Sequence, residues 1–285
     1  MAITTWTDYK QWVAKVIESK RDFYYRGQSN ANWPLQTSFH RASAKIPVDL
    51  LTYLDFILPE AHYHMCAWHN EITDLQNPAE FGAFLALLQH HGFPTPLLDW
   101  TLSPYIAAFF AFKNVDYHNP DCDHVKIYIF DYQLWTTSYT QPLNLRDTSQ
   151  NYVSVLRPYS KFNSRIIHQR GSYTVTNVSN MGQYIQQCSA STGKSFLIEV
   201  LLSVKEKPAV MRELSLMGIN QMTLFPGLDG ICDAMTEQFF SPDKVGLTPN
   251  DIKVLSELLK KTPVPTDKQK NSSGSPLKQF GAPEK

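Results

Sequence analysis

Apolar positions along this chain recur in blocks whose period switches between helix and strand. Over residues 5–20, Trp12, Val13, Val16 and Ile17 fall on one helical face, with Thr7 as the N-cap. Residues 23–26 read as a short strand ending at Gly27. Residues 48–70 and 78–91 carry helical periodicity, and the second block delivers His90 and His91 to a turn. Gly92, Pro94 and Pro96 bend the chain there, ahead of the short buried strand Leu97-Leu98-Asp99-Trp100-Thr101. Ser103 then caps a buried helix that has Pro104 at its first position and an apolar body over residues 105–112. Further strands are expected over residues 125–131, 165–175 and 195–204, with a helix near residues 182–188. Residues 207–222 form a mixed helical segment and residues 249–259 a short helix. Beyond Lys261 the chain turns to Pro, Ser, Gly and Lys, so residues 1–260 are expected to form one domain and residues 261–285 a disordered tail. Strands and helices interleave without regular βαβ spacing and without a Gly-rich phosphate fingerprint, which predicts an α+β fold.

Composition narrows the class. With 285 residues, 43% hydrophobic and 13% aromatic, the chain can bury a large core. No run of eighteen apolar residues occurs, because Asp99, Ser103 and Pro104 interrupt the longest candidate, residues 97–112. Residues 1–20 lack an apolar signal core, so a cytoplasmic protein with no membrane partner is expected. Cys66, Cys122, Cys188 and Cys232 form no Cys-x-x-Cys pair and read as reduced thiols. Lys plus Arg equals Asp plus Glu at 26 each, so net charge names no partner. The distribution is more informative: residues 148–198 contain no carboxylate while Arg157, Lys161, Arg165, Arg170 and Lys194 all lie there. That segment either offers a positive field to a pyrophosphate or nucleic acid, or is a polar face neutralised from elsewhere in the fold.

The turn at residues 89–101 concentrates candidate chemistry. Asp99, Trp100 and Thr101 stand at a strand end ahead of a helix N-terminus, where backbone N–H groups favour an anion. Adjacent His90 and His91 are poor joint metal ligands, and His62, His64 and His69 lack an acidic third ligand at fixed spacing, so no metal is expected. The chain carries no Gly-x-Ser-x-Gly elbow, His-Glu-x-x-His pair or P-loop.

Four ordered blocks carry a family resemblance. They are Tyr25-Arg26-Gly27-Gln28-Ser29 with Trp33, Leu35 and Arg41; Gln89-His90-His91-Gly92-Phe93-Pro94-Thr95-Pro96-Leu97-Leu98-Asp99-Trp100-Thr101; residues 163–173; and Leu224-Phe225-Pro226-Gly227-Leu228-Asp229-Gly230. Together they resemble the FRG domain, with Pro96 where that family usually has Arg. The family has been likened to the ADP-ribosyltransferase fold and occurs in bacterial toxin and phage-defence settings. The resemblance therefore implies a split mixed or antiparallel sheet core and an NAD-dependent ADP-ribosyltransferase. It further implies a toxin of a toxin–antitoxin or anti-phage system, with an antitoxin protein as a possible partner.

Such chemistry needs groups that hold nicotinamide, bind the pyrophosphate and stabilise positive charge at the ribose, without a metal. The resemblance assigns Arg26, Gly27, Gln28, His90, His91, Thr95, Asp99, Trp100, Thr101 and Arg165 to NAD. Arg26 grips phosphate or ribose oxygens, Gly27 lets its backbone approach the carboxamide, and Trp100 either stacks on nicotinamide or belongs to the core. Arg26 and Gln169 are also the catalytic candidates, but a Gln amide can only orient ribose hydroxyls. The acidic role then falls to Glu199, a lone charge in an apolar strand, or to Asp229 in a turn, unless an alternating strand points Glu199 to solvent. The acceptor is nucleic acid, RNA favoured, or protein. The other reading is a non-enzymatic ligand- or nucleic-acid-binding FRG module.

Overall fold

The computed structural model describes residues 3–115, 122–158 and 165–240, with Lys253, Ser256 and Glu257 beyond them. The expected helix over residues 249–259, the boundary at residue 260 and the tail fall outside the described residues. The chain divides into two units, Met1–Thr236 and Glu237–Lys285, and the first holds the sheet.

Helix α1 (Trp6–Ser19) is capped two residues before the expected position. Thr5 accepts the amide of Asp8, and the Asp8 carboxylate accepts the amide of Thr5, so the capping box is Thr5-x-x-Asp8 and Thr7 lies inside the helix. Strand β1 (Tyr24–Gln28) follows, then α2 (Ser38–Ser43) and α3 (Leu50–Thr52). A π-helical turn, Tyr53–Ile57, joins α3 to α4 (Leu58–His69), so the periodic block over residues 48–70 is a broken helix. Helix α5 (Pro78–His90), strand β2 (Leu97–Thr101) and α6 (Pro104–Lys113) match the expected turn unit, with Ser103 accepting the Ile106 amide as N-cap. Then come β3 (His124–Phe130), α7 (Tyr132–Ser138), β4 (Val153–Leu156), α8 (Arg165–His168) and β5 (Gly171–Thr176). The single strand expected over residues 165–175 is thus a helical turn and a shorter strand, separated by Arg170 in the left-handed region at φ 47°. Helix α9 (Met181–Thr192), β6 (Leu197–Ser203), α10 (Lys207–Leu216), α11 (Gln221–Leu224) and α12 (Leu228–Phe240) follow. Asp229 therefore opens a helix and does not brace a turn.

The fold is α+β. Among the described residues six strands form one sheet in the order β4-β5-β2-β1-β3-β6, with every neighbouring pair antiparallel. Three apolar clusters flank it. Tyr9, Val13, Phe109, Phe112, Ile127 and Val200 join α1 and α6 to the sheet. Tyr53, Phe84, Leu85, Leu97 and Val175 bind α5 and the π-helical turn to the β2–β5 half. Tyr24, Trp100, Phe130, Trp135, Met181 and Phe196 pack α7 and α9 against the sheet.

His40 sits on α2 with its Nδ1 2.7 Å from the Thr37 hydroxyl, and burial pushes the imidazole pKa down to about 4. The unfolded chain then binds a proton that the folded one refuses between roughly pH 6.5 and pH 4. Stability is full above this window and falls by about 3 kcal/mol as pH drops through it. Denaturant midpoints at pH 7 and pH 4.5 should differ more for the native chain than for His40→Gln; equal differences would remove His40 from the acid response.

Candidate functional site

Strands β1 and β2 pair at one position, Tyr25 with Thr101, whereas β1 and β3 pair along all five residues from Tyr24 to Gln28. Past that point a cleft of about 670 Å³ opens between them, within the usual range for small-ligand sites. Where a ladder bond is missing, a side chain substitutes: Arg26 Nη1 donates to the Asp99 backbone carbonyl at 2.6 Å.

Arg26 is the electrostatic centre of the cleft. Its side chain is 19% exposed, and Nη1 lies 3.8 Å from Asp99 Oδ2, long for a tight ion pair. Its Nε is buried without a partner among the described residues. Burial draws the Arg26 pKa down, Asp99 opposes that shift, and Arg41 adds to it. Arg41 and Arg165 also line the cleft, so among the described residues three guanidiniums face one lining carboxylate, Asp99. The Arg165 guanidinium lies 5.5 Å from the centre of the Phe225 ring. His90 borders the same space, and burial, with Arg165 next, holds its pKa below the ordinary imidazole value. The arrangement favours an anion and disfavours protonated His90.

Asp99 is held in place by a relay. Gln89 Nε2 donates to Asp99 Oδ2 at 2.9 Å, while Gln89 Oε1 accepts from the hydroxyls of Thr95 at 2.5 Å and Ser38 at 2.9 Å. These hydroxyls set the amide so that its N–H groups face the carboxylate. Thr95 is fully buried and absent from the cleft wall, so its connection to the site runs through Gln89. Oδ1 of Asp99 has no hydrogen-bond partner among the described residues, and the side chain is half-exposed.

The fold gathers Arg26, Gly27, Gln28, His90, Asp99, Trp100, Thr101, Arg165 and Gln169 around the cleft, and leaves His91, Thr95 and Glu199 off its wall. Gly27 is explained by packing: a Cβ there would collide with the Ala107 carbonyl and lie 2.5 Å from Ala111 N, so the missing side chain lets α6 seat on β1. Trp100 borders the cleft, but its indole is buried against Phe130 and donates to the Thr174 hydroxyl at 2.9 Å. That commits the ring to the core. Thr101 donates to the Gln169 carbonyl at 2.7 Å, and the Gln169 amide donates to the Leu224 carbonyl at 3.1 Å, so both tie the α8–β5 turn to its neighbours. Glu199 stands on the edge strand β6, with Oε2 2.8 Å from Lys126 Nζ and Oε1 accepting from Gln186 at 3.0 Å. A cross-strand cation resolves the lone charge in the apolar strand, and the acidic role expected of Glu199 has no place in this cleft. Trp33, Phe110, Tyr173 and Phe225 supply aromatic wall; Trp33, Tyr173 and Phe225 lie in the blocks that carry the resemblance, but Phe110 was missed as a wall residue. Gln89 was also missed, although it opens the most unusual block of the chain.

The family model for the FRG domain matches residues 21–120. This span contains both strands that bound the cleft, the Gln89 relay and α6, and stops short of Arg165, Gln169 and Phe225. No curated protein and no solved structure matches the chain. No described helix is long and apolar enough to cross a membrane.

Proposed function

We propose that the cleft binds NAD as a substrate and that the chain transfers ADP-ribose from it, to RNA in preference to protein. The observation that carries this reading is the convergence of Arg26, Arg41 and Arg165 with aromatic wall around Asp99, the one lining carboxylate among the described residues. A dinucleotide supplies what such a cleft lacks: a pyrophosphate for the guanidiniums and flat rings for Trp33, Phe110 and Phe225. The unpartnered Arg26 Nε fits an oxygen of that substrate.

In the transfer, the bond between ribose C1′ and the nicotinamide nitrogen breaks, and its electron pair leaves with neutral nicotinamide. The resulting oxocarbenium-like sugar carries positive charge, which the Asp99 carboxylate stabilises from nearby. An acceptor oxygen or nitrogen attacks C1′, and its proton passes to Asp99 Oδ1. Asp99 takes the acidic role in place of Glu199, and Gln89 keeps it oriented. On this basis Asp99→Asn lowers transfer about a hundredfold while NAD affinity changes only a few-fold, a split read by comparing single-turnover rates with binding titrations. Equal rates in the two proteins would remove Asp99 from the chemistry.

The RNA preference rests on the carboxylate-free segment, residues 148–198, from which Arg165 reaches the cleft and Arg170 stands exposed beside the cleft residue Gly171. Arg157 is already engaged by the hydroxyls of Tyr24 at 3.0 Å and Tyr132 at 3.2 Å. Lys161 and the aromatics Tyr159 and Phe162 of the same segment lie outside the described residues. Incubation of the purified chain with adenylate-labelled NAD and total cell RNA and protein tests the reading. Ribonuclease-sensitive label that fades steeply as salt rises supports it, and protease-sensitive label alone replaces RNA by protein. A second reading, a binding module without turnover, is favoured by the hold of Gln89 and Arg26 on Asp99; it predicts NAD binding with neither label transfer nor nicotinamide release.

A further inference from the structure

Gln28 ends β1 two residues beyond Arg26, so the two side chains leave the same face of the strand. Both line the cleft. Gln28 is only 7% exposed, and its Nε2 donates to the Pro34 carbonyl at 3.2 Å. That bond fixes the amide with its nitrogen toward Pro34. Its Oε1 is buried and has no hydrogen-bond partner among the described residues. A buried acceptor without a donor is costly, and a ligand that brings the donor recovers that cost on binding. Arg26 Nε, two residues away, is the complementary orphan: a buried donor without an acceptor.

We infer that the cleft selects its ligand through Gln28 Oε1, by requiring an N–H donor on a planar ring, either a carboxamide or an exocyclic amine. The inference rests on the reading of the cleft as a nucleotide site and adds the chemical group by which a nucleotide is chosen. An acid or carbonyl at the same place sets oxygen against oxygen and leaves Gln28 unpaired, so discrimination exceeds what a lost apolar contact gives.

Two matched pairs read this directly by calorimetric titration of the full chain. NAD and nicotinic acid adenine dinucleotide differ in carboxamide against carboxylate, and AMP and IMP differ in amine against carbonyl. In one pair the native chain should prefer the donor-bearing member by about tenfold or more. The pair that discriminates identifies the ring held at Gln28. In Gln28→Met, which keeps the side chain's length, that preference should collapse, with the donor-bearing member weakened and the acid or carbonyl member bound no more weakly than by the native chain. The native-chain comparison stands on its own if the variant does not fold. Equal binding within both pairs, preference for the acid or carbonyl member, or a preference that survives Gln28→Met overturns the inference and leaves the nucleotide reading in place. Binding of none of the four overturns both.

Discussion

Arg26→Ala should lower NAD turnover at least about a hundredfold and weaken NAD binding to a similar degree, because a charged donor to the pyrophosphate is worth several tenfold steps in a partly buried cleft. Arg26→Lys should fail almost as badly, since an ammonium cannot reproduce a planar fork that holds the Asp99 carbonyl through one nitrogen and keeps further donors for an anion. The substitution also removes the hydrogen bond that spans the opening between β1 and β2, a loss of about 1–3 kcal/mol. A melting temperature lower by a few degrees with cooperative unfolding retained is therefore the expected companion result. Nicotinamide release and a thermal melt on the same preparation separate the two effects. Loss of cooperative unfolding would make Arg26 a structural strut instead.

Gly27→Ala should produce the largest loss of stability of any single methyl addition in the described sheet. The added Cβ meets backbone atoms of α6, the Ala107 carbonyl and the Ala111 amide, and neither can rotate away. Either α6 lifts off β1 or the strand shifts, at a cost of about 3 kcal/mol or more. For a chain of this size that corresponds to a melting temperature lower by about 10 °C. The companion change Ala111→Gly removes one contact, the Ala111 Cβ at 2.9 Å, and leaves the two backbone collisions, so it should not rescue the variant. Full rescue would show that the methyl contact, and not the backbone approach, sets the requirement for glycine.

What the sequence discloses depends on how local the determining contact is. The unit from α5 through β2 to α6 is legible because its signals are neighbours in sequence: the Gly92, Pro94 and Pro96 turn, the Ser103 cap and Pro104 at the first helical position. Helix α1 is equally legible, but two threonines compete for its cap, and the reciprocal bond to Asp8 decides for Thr5. Strand β4 has four residues and α7 seven, too short for periodicity to mark, and tertiary packing holds them, as in the Trp135 indole bond to the Val153 carbonyl. Residues 165–175 alternate enough to read as one strand, and only the left-handed Arg170 shows the break.

The site follows the same rule. Arg26 and Asp99 stand out in sequence, yet the relay that orients Asp99 passes through Ser38, Gln89 and Thr95, brought together from three segments. Glu199 misleads for the opposite reason: its partner Lys126 lies across a strand pairing that no local pattern announces. Gly27 is flagged by its place beside Arg26, but its reason is the approach of a helix some eighty residues further along the chain.

Nicotinamide release from NAD by the purified full chain, followed by chromatography with and without added RNA, tests the central claim most directly. The account predicts catalytic release that RNA stimulates and that disappears in both Arg26→Ala and Asp99→Asn. NAD that binds in the cleft yet stays intact under all these conditions would contradict it, and would make the chain a binding module.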